Sequence, residues 1–253
     1  MEQNTIPAKR RRGIYLLPNL FTTAALFSGF YAITAAINHQ FETAAIAIFI
    51  AMVLDGLDGR VARLTNTQSA FGAEYDSMAD MISFGAAPAL VMYLWTLSSL
   101  GKLGWVAAFV HAAGGALRLA RFNTQLGTAD KRYFQGLPSP SAAAIPAGAV
   151  WVSTTYGVPA DNPTISYIAA GLAVTTGLLM VSNFRYYSFK DIDLHGPVSF
   201  IWAILVMLIF VFLFTNPPLL LFTLFSLYAV SGPVLTLTRR RKMKSERRGL
   251  PES

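Results

Sequence analysis

Runs of apolar residues near the length of a membrane-crossing helix constrain this chain more than any other feature. A helix needs about 20 mostly apolar residues to cross a hydrocarbon layer ~30 Å thick, and within lipid only helices and closed barrels satisfy every backbone group. Eight apolar runs, each of roughly 15–20 residues, follow one another: Leu20–Ile37, Thr43–Leu57, Met78–Leu97, Leu103–Leu119, Ser139–Thr155, Ile165–Val181, Val198–Phe214 and Leu219–Leu237. The pattern predicts an all-α polytopic integral membrane helix bundle with about eight transmembrane helices.

The composition excludes several other classes of protein. Hydrophobic residues make up 54% of the 253 residues and charged residues only 13%, roughly half the charged share of a soluble domain. An intrinsically disordered chain is poor in apolar residues and rich in charge, so disorder is excluded. The absence of cysteine excludes a disulfide-stabilised scaffold.

The basic residues predict the orientation of the bundle. With the N-terminus in the cytoplasm, every one of the 20 lysines and arginines except Lys102 falls on the cytoplasmic side, as the positive-inside rule requires. We therefore expect a multi-pass protein of the inner cell membrane, with both termini cytoplasmic and the active site facing the cytoplasm. Residues 1–238 are predicted to form a single transmembrane catalytic domain, and residues 239–253 a polybasic tail attracted to anionic membrane lipid. Because topology accounts for the net charge of +7, no nucleic-acid partner is predicted.

Acidic residues concentrate where the second and third apolar runs face each other. Five of the 13 in the chain lie between positions 55 and 80: Asp55, Asp58, Glu74, Asp76 and Asp80. Asp55 and Asp58 are spaced i, i+3 and Asp76 and Asp80 i, i+4, so each pair shares one face of a helix. Two consecutive helices joined by a short cytoplasmic loop would bring the four aspartates together at the membrane surface.

Such a cluster is costly, which predicts a divalent metal. One Asp at the centre of a membrane helix costs roughly 2.5–3.5 kcal/mol on insertion scales, and Arg60 and Arg63 cannot neutralise five acids. All-oxygen ligands favour Mg²⁺, Mn²⁺ or Ca²⁺, and four carboxylates suit two ions that clamp a phosphate. Gly56, Gly59 and Gly72 leave room for a ligand to approach, and Arg63 can reach a phosphate. Ion-paired helix ends and a cation pathway in a transporter are the alternatives.

The acidic segment resembles the signature of the CDP-alcohol phosphatidyltransferases, D-x-x-D-G-x-x-A-R followed after eight residues by G-x-x-x-D-x-x-x-D. Every fixed position is matched, by Asp55, Asp58, Gly59, Ala62, Arg63, Gly72, Asp76 and Asp80. The matched motif runs from Asp55 to Asp80 and covers about 26 residues. Beyond it, the hydropathy profile agrees with the family.

The resemblance implies a reaction and a set of roles. The hydroxyl of an acceptor attacks the lipid-side phosphorus of a CDP-linked lipid, and CMP leaves. Asp55, Asp58, Asp76 and Asp80 would ligate two divalent ions, Asp80 also acting as general base. Six residues would bind the nucleotide and the CDP-lipid: Asn19, Thr22, Gly59, Ala62, Arg63 and Gly72. For Asn19 and Thr22, at the start of the first run, simple helix capping is the alternative.

Three further polar segments predict the acceptor. They begin at Arg118, Tyr133 and Asn183, and with the run Ser83–Pro88 they resemble the branch of the family that makes phosphatidylserine from CDP-diacylglycerol and L-serine. The acceptor is then expected to contact Arg118, Arg121, Asn123, Gln135, Ser139 and Arg185. These residues have an alternative role in holding lipid phosphate or in setting the orientation.

The sequence also leaves alternative functions open and predicts an oligomeric state and the role of one histidine. The same transfer to glycerol 3-phosphate or to an inositol phosphate is the alternative within the enzyme class, and a divalent-cation transporter is the alternative outside it. The resemblance implies a homodimer. His111, on the fourth apolar run, is expected to be a hydrogen-bonded structural group rather than a metal ligand.

Overall fold

The computed structural model describes residues 16–124, 133–187, 207, 211–212 and 214–248, and these residues are mostly helical. The long helices are α1 (Leu16–Ile37), α2 (Phe41–Leu64), α3 (Ala70–Asp80), α4 (Ala87–Trp95), α5 (Lys102–Thr124), α6 (Ser139–Thr155), α7 (Pro163–Val181) and α8 (Pro217–Arg248). A π-helical turn, Met81–Ala86, joins α3 to α4, so that Ala70–Trp95 runs as one 26-residue helix. A 3₁₀ turn, Leu97–Leu100, leads into α5.

Five of these helical stretches are long and apolar enough to cross a membrane, which makes the chain a helical membrane protein. They are Leu17–Ile37, Ala70–Trp95, Lys102–Thr124, Pro163–Val181 and Pro217–Thr238. α2 and α6 are not among these stretches, because α2 carries three charged residues within Asp55–Arg60 alone and α6 has only 17 residues. The predicted run Val198–Phe214 lies largely outside the described residues, and the count of eight spans and their orientation stay predictions.

The helix limits follow the predicted runs and extend beyond them at the acidic segment. α2 continues past the apolar run to Leu64, and α3 begins at Ala70, eight residues before the predicted start at Met78. Ser69 caps α3, its hydroxyl accepting a hydrogen bond from the Gly72 N–H at 3.0 Å. The carboxylates therefore sit on regular helix and not in a loop. α8 is also longer than its apolar run and continues without a break into the predicted tail.

Small residues bring the helices close together. α1 packs along α2, α5 along α7, and α6 against both α2 and α8. The main buried cluster is rich in alanine, including Ala143 and Ala144, and Ala142 belongs to the smaller neighbouring cluster. All three side chains are fully buried. Small side chains allow backbones in lipid to approach closely and gain van der Waals contact.

A short antiparallel ribbon is the exception to the all-α prediction. β1 (Tyr133–Gln135) pairs with β2 (Arg185–Tyr187), with Phe134 opposite Tyr186. Tyr186 is fully buried and its hydroxyl donates to the Ala229 carbonyl of α8 at 3.0 Å, and burial raises the pKa of this phenol above its usual range. The ribbon thus ties the segments before α6 and after α7 to the last helix.

Candidate active site

Three of the four predicted aspartates meet at one point between α2 and α3. Asp55, Asp76 and Asp80 each offer a carboxylate oxygen, and these oxygens all lie within 4.8 Å of one another. The i, i+4 spacing places Asp76 and Asp80 one turn apart on α3, and Asp55 reaches them from the C-terminal half of α2. We call these three side chains the carboxylate cluster. The convergence predicted for four aspartates is thus observed for three of them.

Asp58 stands beside the carboxylate cluster and belongs to a second contact. Its side chain is buried, lies next to that of Asp76, and accepts a hydrogen bond from the Thr22 hydroxyl at 2.7 Å. The same hydroxyl lies 3.2 Å from the Pro18 carbonyl, one turn earlier on α1. Thr22 is therefore a side-chain anchor for Asp58 and not a helix cap.

The donor set fits a divalent cation. One oxygen of Asp76, Oδ1, is buried and has no hydrogen-bond partner among the described residues. A buried carboxylate oxygen without a partner is expensive, because its hydration has been lost and nothing replaces it. A metal ion bound by the carboxylate cluster would satisfy this atom, and carboxylate oxygens are the ligands that Mg²⁺ and Mn²⁺ prefer.

The glycines predicted near the nucleotide differ in what surrounds them. A Cβ added at Gly56 would meet nothing within 4 Å, and one at Gly59 would meet only the Arg63 Nη1 at 3.6 Å. Gly72 is crowded instead, since its Cβ would lie 3.1 Å from the Ser69 Oγ and 3.4 Å from the Asn19 Oδ1. Gly56 and Gly59 leave open space on α2, whereas Gly72 lets α1 approach the start of α3.

Two of the six predicted acceptor residues adjoin the carboxylate cluster. Arg118 of α5 donates from Nη1 to the Ser139 hydroxyl at 2.8 Å, and that hydroxyl lies 3.4 Å from the Asp80 Oδ2. The positive charge of the Arg118 guanidinium also attracts the Asp55 carboxylate. The Arg118 Nε is buried and has no partner among the described residues. A chain of polar contacts therefore runs from α5 through the start of α6 to Asp80.

The other four predicted acceptor residues lie in separate contacts. Asn123 bridges α5 to α3, accepting from the Ser77 hydroxyl at 3.1 Å and donating to the Glu74 carboxylate at 3.3 Å. Arg121 reaches the Ser182 carbonyl at 3.4 Å. The last two lie on the ribbon: Gln135 donates to the Asn183 amide oxygen at 2.7 Å, and Arg185 is exposed. The structure does not gather all six around one point.

Sequence reasoning missed three contributors to this region. Ser77 and Asn183 supply the partners of Asn123 and Gln135, and Tyr228 of α8 lies near Arg118. Ser77 sits one residue after Asp76, and Asn183 opens one of the polar segments, so both carried a positional signal. Tyr228 lies in an apolar run, where an aromatic residue signals nothing.

Comparison with known proteins agrees with the site. The sequence model of the family described as CDP-alcohol phosphatidyltransferase matches residues 15–212. A CDP-diacylglycerol–serine O-phosphatidyltransferase of Helicobacter pylori strain J99 is 40% identical over 198 residues, which cover 78% of this chain and 83% of the relative. Proteins of the same name are 35% identical in Bacillus subtilis, over 69% of this chain and 91% of the relative, and 41% identical in Mycobacterium tuberculosis H37Rv, over 58% and 54%.

The family match spans the carboxylate cluster, Arg118 and Ser139, and extends far beyond the 26-residue signature. Geometry and similarity thus lead to one assignment: the chain belongs to the CDP-alcohol phosphatidyltransferase family.

Proposed function

We propose that this protein transfers a phosphatidyl group from CDP-diacylglycerol to L-serine, giving phosphatidylserine and CMP. The observation that carries the proposal is the convergence of Asp55, Asp76 and Asp80 within 4.8 Å on the two helices that hold the complete family signature. The choice of serine is supported by relatives named for that reaction over most of this chain.

Asp55, Asp58, Asp76 and Asp80 are the proposed ligands of two divalent ions, Mg²⁺ or Mn²⁺, with Ca²⁺ as a third candidate. When bound, the ions would neutralise the pyrophosphate and the departing CMP. The Thr22 hydroxyl holds Asp58 at 2.7 Å, so α1 fixes one edge of the ligand set. The unpartnered Oδ1 of Asp76 supports its place in this set.

The nucleotide is proposed to lie over the open face of α2. Gly59 and Ala62 present no bulky side chain there, and Arg63 is exposed at the same helix end, where its guanidinium can pair with a phosphate. Asn19, whose amide oxygen faces Gly72, is proposed to border this pocket from α1.

Asp80 is the proposed general base for the acceptor. A carboxylate beside the attacking serine hydroxyl can take its proton as the oxygen bonds to the lipid-side phosphorus. The bond from that phosphorus to the CMP oxygen breaks, and CMP leaves with the bonding electrons. Arg118 and Ser139, both next to Asp80, are proposed to hold the serine carboxylate, because Arg pairs with carboxylates through two parallel hydrogen bonds. Arg121, Asn123, Gln135 and Arg185 are proposed to complete the polar surroundings.

The setting of the reaction is proposed from the charge pattern. The protein is proposed to lie in the inner cell membrane with both termini and the active site on the cytoplasmic side, because every lysine and arginine except Lys102 falls on that side of eight spans. A homodimer is proposed from the family resemblance alone. Residues 1–238 form the catalytic domain and residues 239–253 a basic tail that interacts with lipid.

Release of CMP by the purified protein tests this function. The protein in detergent is given CDP-diacylglycerol and Mg²⁺ or Mn²⁺, with serine, glycerol 3-phosphate, an inositol phosphate or no acceptor. Serine-dependent release that EDTA stops and added metal restores is the expected result. Release with another acceptor would contradict the choice of serine. No release from folded protein, together with metal flux in proteoliposomes, would indicate a transporter.

A further inference from the structure

The π-helical turn that follows Asp80 is the least regular part of the membrane helix that carries it. Met81–Ala86 adopts i→i+5 hydrogen bonding, with the Ala87 N–H bonded to the Ile82 carbonyl. Such turns are rare and occur often at functional sites. The local cause is Pro88, which has no N–H to donate to the carbonyl of Phe84 four residues earlier and whose ring crowds that carbonyl.

His111 supplies a donor to this carbonyl from the neighbouring helix. Its side chain is fully buried on α5, and Nε2 lies 3.2 Å from the Phe84 oxygen. A carbonyl only accepts, so Nε2 must carry the proton. The other ring nitrogen, Nδ1, lies 2.8 Å from the Thr176 hydroxyl of α7. The expectation of a hydrogen-bonded structural histidine is confirmed, and its partner is the turn next to Asp80.

Glycines let α1 and α5 close around the same turn and let α7 close on His111. A Cβ at Gly29 of α1 would lie 2.7 Å from the Ser83 Cα, and one at Gly115 of α5 would lie 3.3 Å from the Gly85 Cα. The Ser83 hydroxyl also donates to the Ala25 carbonyl of α1 at 3.1 Å. On the far side of His111, a Cβ at Gly177 of α7 would lie 3.0 Å from the His111 Cα. The turn is therefore held by backbone contact as well as by hydrogen bonds.

We infer that His111 is a positioning residue for Asp80. The imidazole replaces the hydrogen bond that Pro88 removes, and so fixes the π turn that orients the helix end bearing Asp80. Thr176 in turn fixes the imidazole. The inference rests on the proposed function for the role of Asp80 in turnover, but the link between His111 and the carboxylate cluster is a matter of structure and has its own measurement.

Two amide substitutions separate positioning from mere space filling. His111→Gln places an N–H near the original Nε2 and keeps a donor for the Phe84 carbonyl, whereas His111→Asn reaches only as far as Nδ1. We expect His111→Asn to lower kcat about tenfold or more, since small misplacements of a reacting group cost up to ~10²-fold. The KM for CDP-diacylglycerol should change little, and His111→Gln should restore most of kcat.

Binding of Mn²⁺, measured by electron paramagnetic resonance without substrate, gives a readout independent of the reaction. His111→Asn should weaken Mn²⁺ binding severalfold, and His111→Gln should not. Ser166→Ala is the matched control, because Ser166 is equally buried and hydrogen-bonded to Thr96 at the far end of the bundle. It should alter neither kcat nor Mn²⁺ binding. If His111→Asn and His111→Gln behave alike in both measurements, the inference is wrong.

A second pair serves if His111→Asn does not fold. Thr176→Val removes the hydroxyl that holds Nδ1, and Thr176→Ser keeps it. Weaker Mn²⁺ binding in the valine variant alone supports the inference, and equal binding in both overturns it. If the wild-type protein binds Mn²⁺ and releases no CMP, the proposed function fails while this comparison still decides the role of His111.

Discussion

At the scale of single residues, Asp80 is the point where two sets of contacts meet. One set is the carboxylate cluster with Asp55 and Asp76, and the other runs through Ser139 to Arg118. A general base must lie within hydrogen-bond reach of the proton it takes, and near the groups that hold its substrate. Asp80 meets the second requirement better than Asp55 or Asp76, for which the described residues show no such link to α6.

Asp80→Asn should separate binding from turnover. The amide keeps the size of the side chain but cannot take the acceptor's proton, so CMP release should fall at least 10²-fold, in the range typical of a lost general base. Binding of the CDP headgroup, measured by calorimetry, should fall much less. Asp161→Asn, at an exposed position in the connection before α7, is the control. Full activity of Asp80→Asn would remove Asp80 from this role.

Ser139→Ala tests the bridge between Arg118 and Asp80. Loss of the hydroxyl removes the hydrogen-bond acceptor of the Arg118 Nη1, so the guanidinium is no longer held in place. The KM for serine should therefore rise several-fold more than the KM for CDP-diacylglycerol. Hydrogen bonds to a charged group contribute about 1.5–3 kcal/mol. Ser141→Ala, two residues further along α6, is the comparison and should change neither constant. A rise confined to the lipid KM would assign Arg118 to the lipid phosphate.

At the scale of elements, helices were predictable and their irregularities were not. The apolar runs located α1 to α7 within a few residues, except at the facing acidic ends of α2 and α3, because lipid requires helices and the runs have bilayer length. The π turn depends on a missing N–H at Pro88 and a donor on α5, which no single run reveals. The ribbon was missed because β1 and β2 pair across about 50 residues of sequence and have only three residues each.

Two glycines of α7 give a matched test of helix packing. Gly177→Ala should destabilise the protein by about 1–3 kcal/mol, the usual cost of overpacking, because the added Cβ would lie 2.9 Å from the Val110 carbonyl carbon of α5. Gly171→Ala meets nothing within 4 Å and should be neutral or stabilising by up to ~1 kcal/mol through helix propensity. Thermal unfolding in detergent measures both, and equal midpoints would show that α5 and α7 are not in close contact.

At the scale of the whole molecule, the distribution of charge predicts which loops lie on which side. The chain has no cysteine, so single cysteines can report the side of each loop. Gln68→Cys, between α2 and α3, should react with an impermeant maleimide only after the cytoplasmic face is opened. Ser98→Cys and Asp161→Cys, exposed at the opposite helix ends, should react from outside in intact cells. Labelling of Gln68→Cys from outside would show that the orientation is the reverse of the predicted one.

The membrane character and the carboxylate cluster could both be predicted because each is set by local spacing. The acceptor site could not, since it depends on how α5, α6 and the ribbon meet. Arg118 and Ser139 are 21 residues apart and in contact, while Arg118 and Arg121, three residues apart, reach different partners. Spacing within each helix is enough to predict the membrane character and the carboxylate cluster, whereas packing between helices decides the acceptor site.

The order in which the chain is made has a consequence for how this site matures. Asp55, Asp58, Asp76 and Asp80 are all synthesised before Arg118, Ser139 and the histidine that steadies the π turn. A newly inserted pair of helices would therefore carry several neighbouring negative charges before their later partners exist, and uncompensated charge in a low-dielectric setting is strongly disfavoured. Early capture of a cation, or retention of this helix pair near the aqueous surface until α5 arrives, would relieve the repulsion. Biogenesis of the protein should accordingly be more sensitive to divalent-ion supply than the stability of the finished fold.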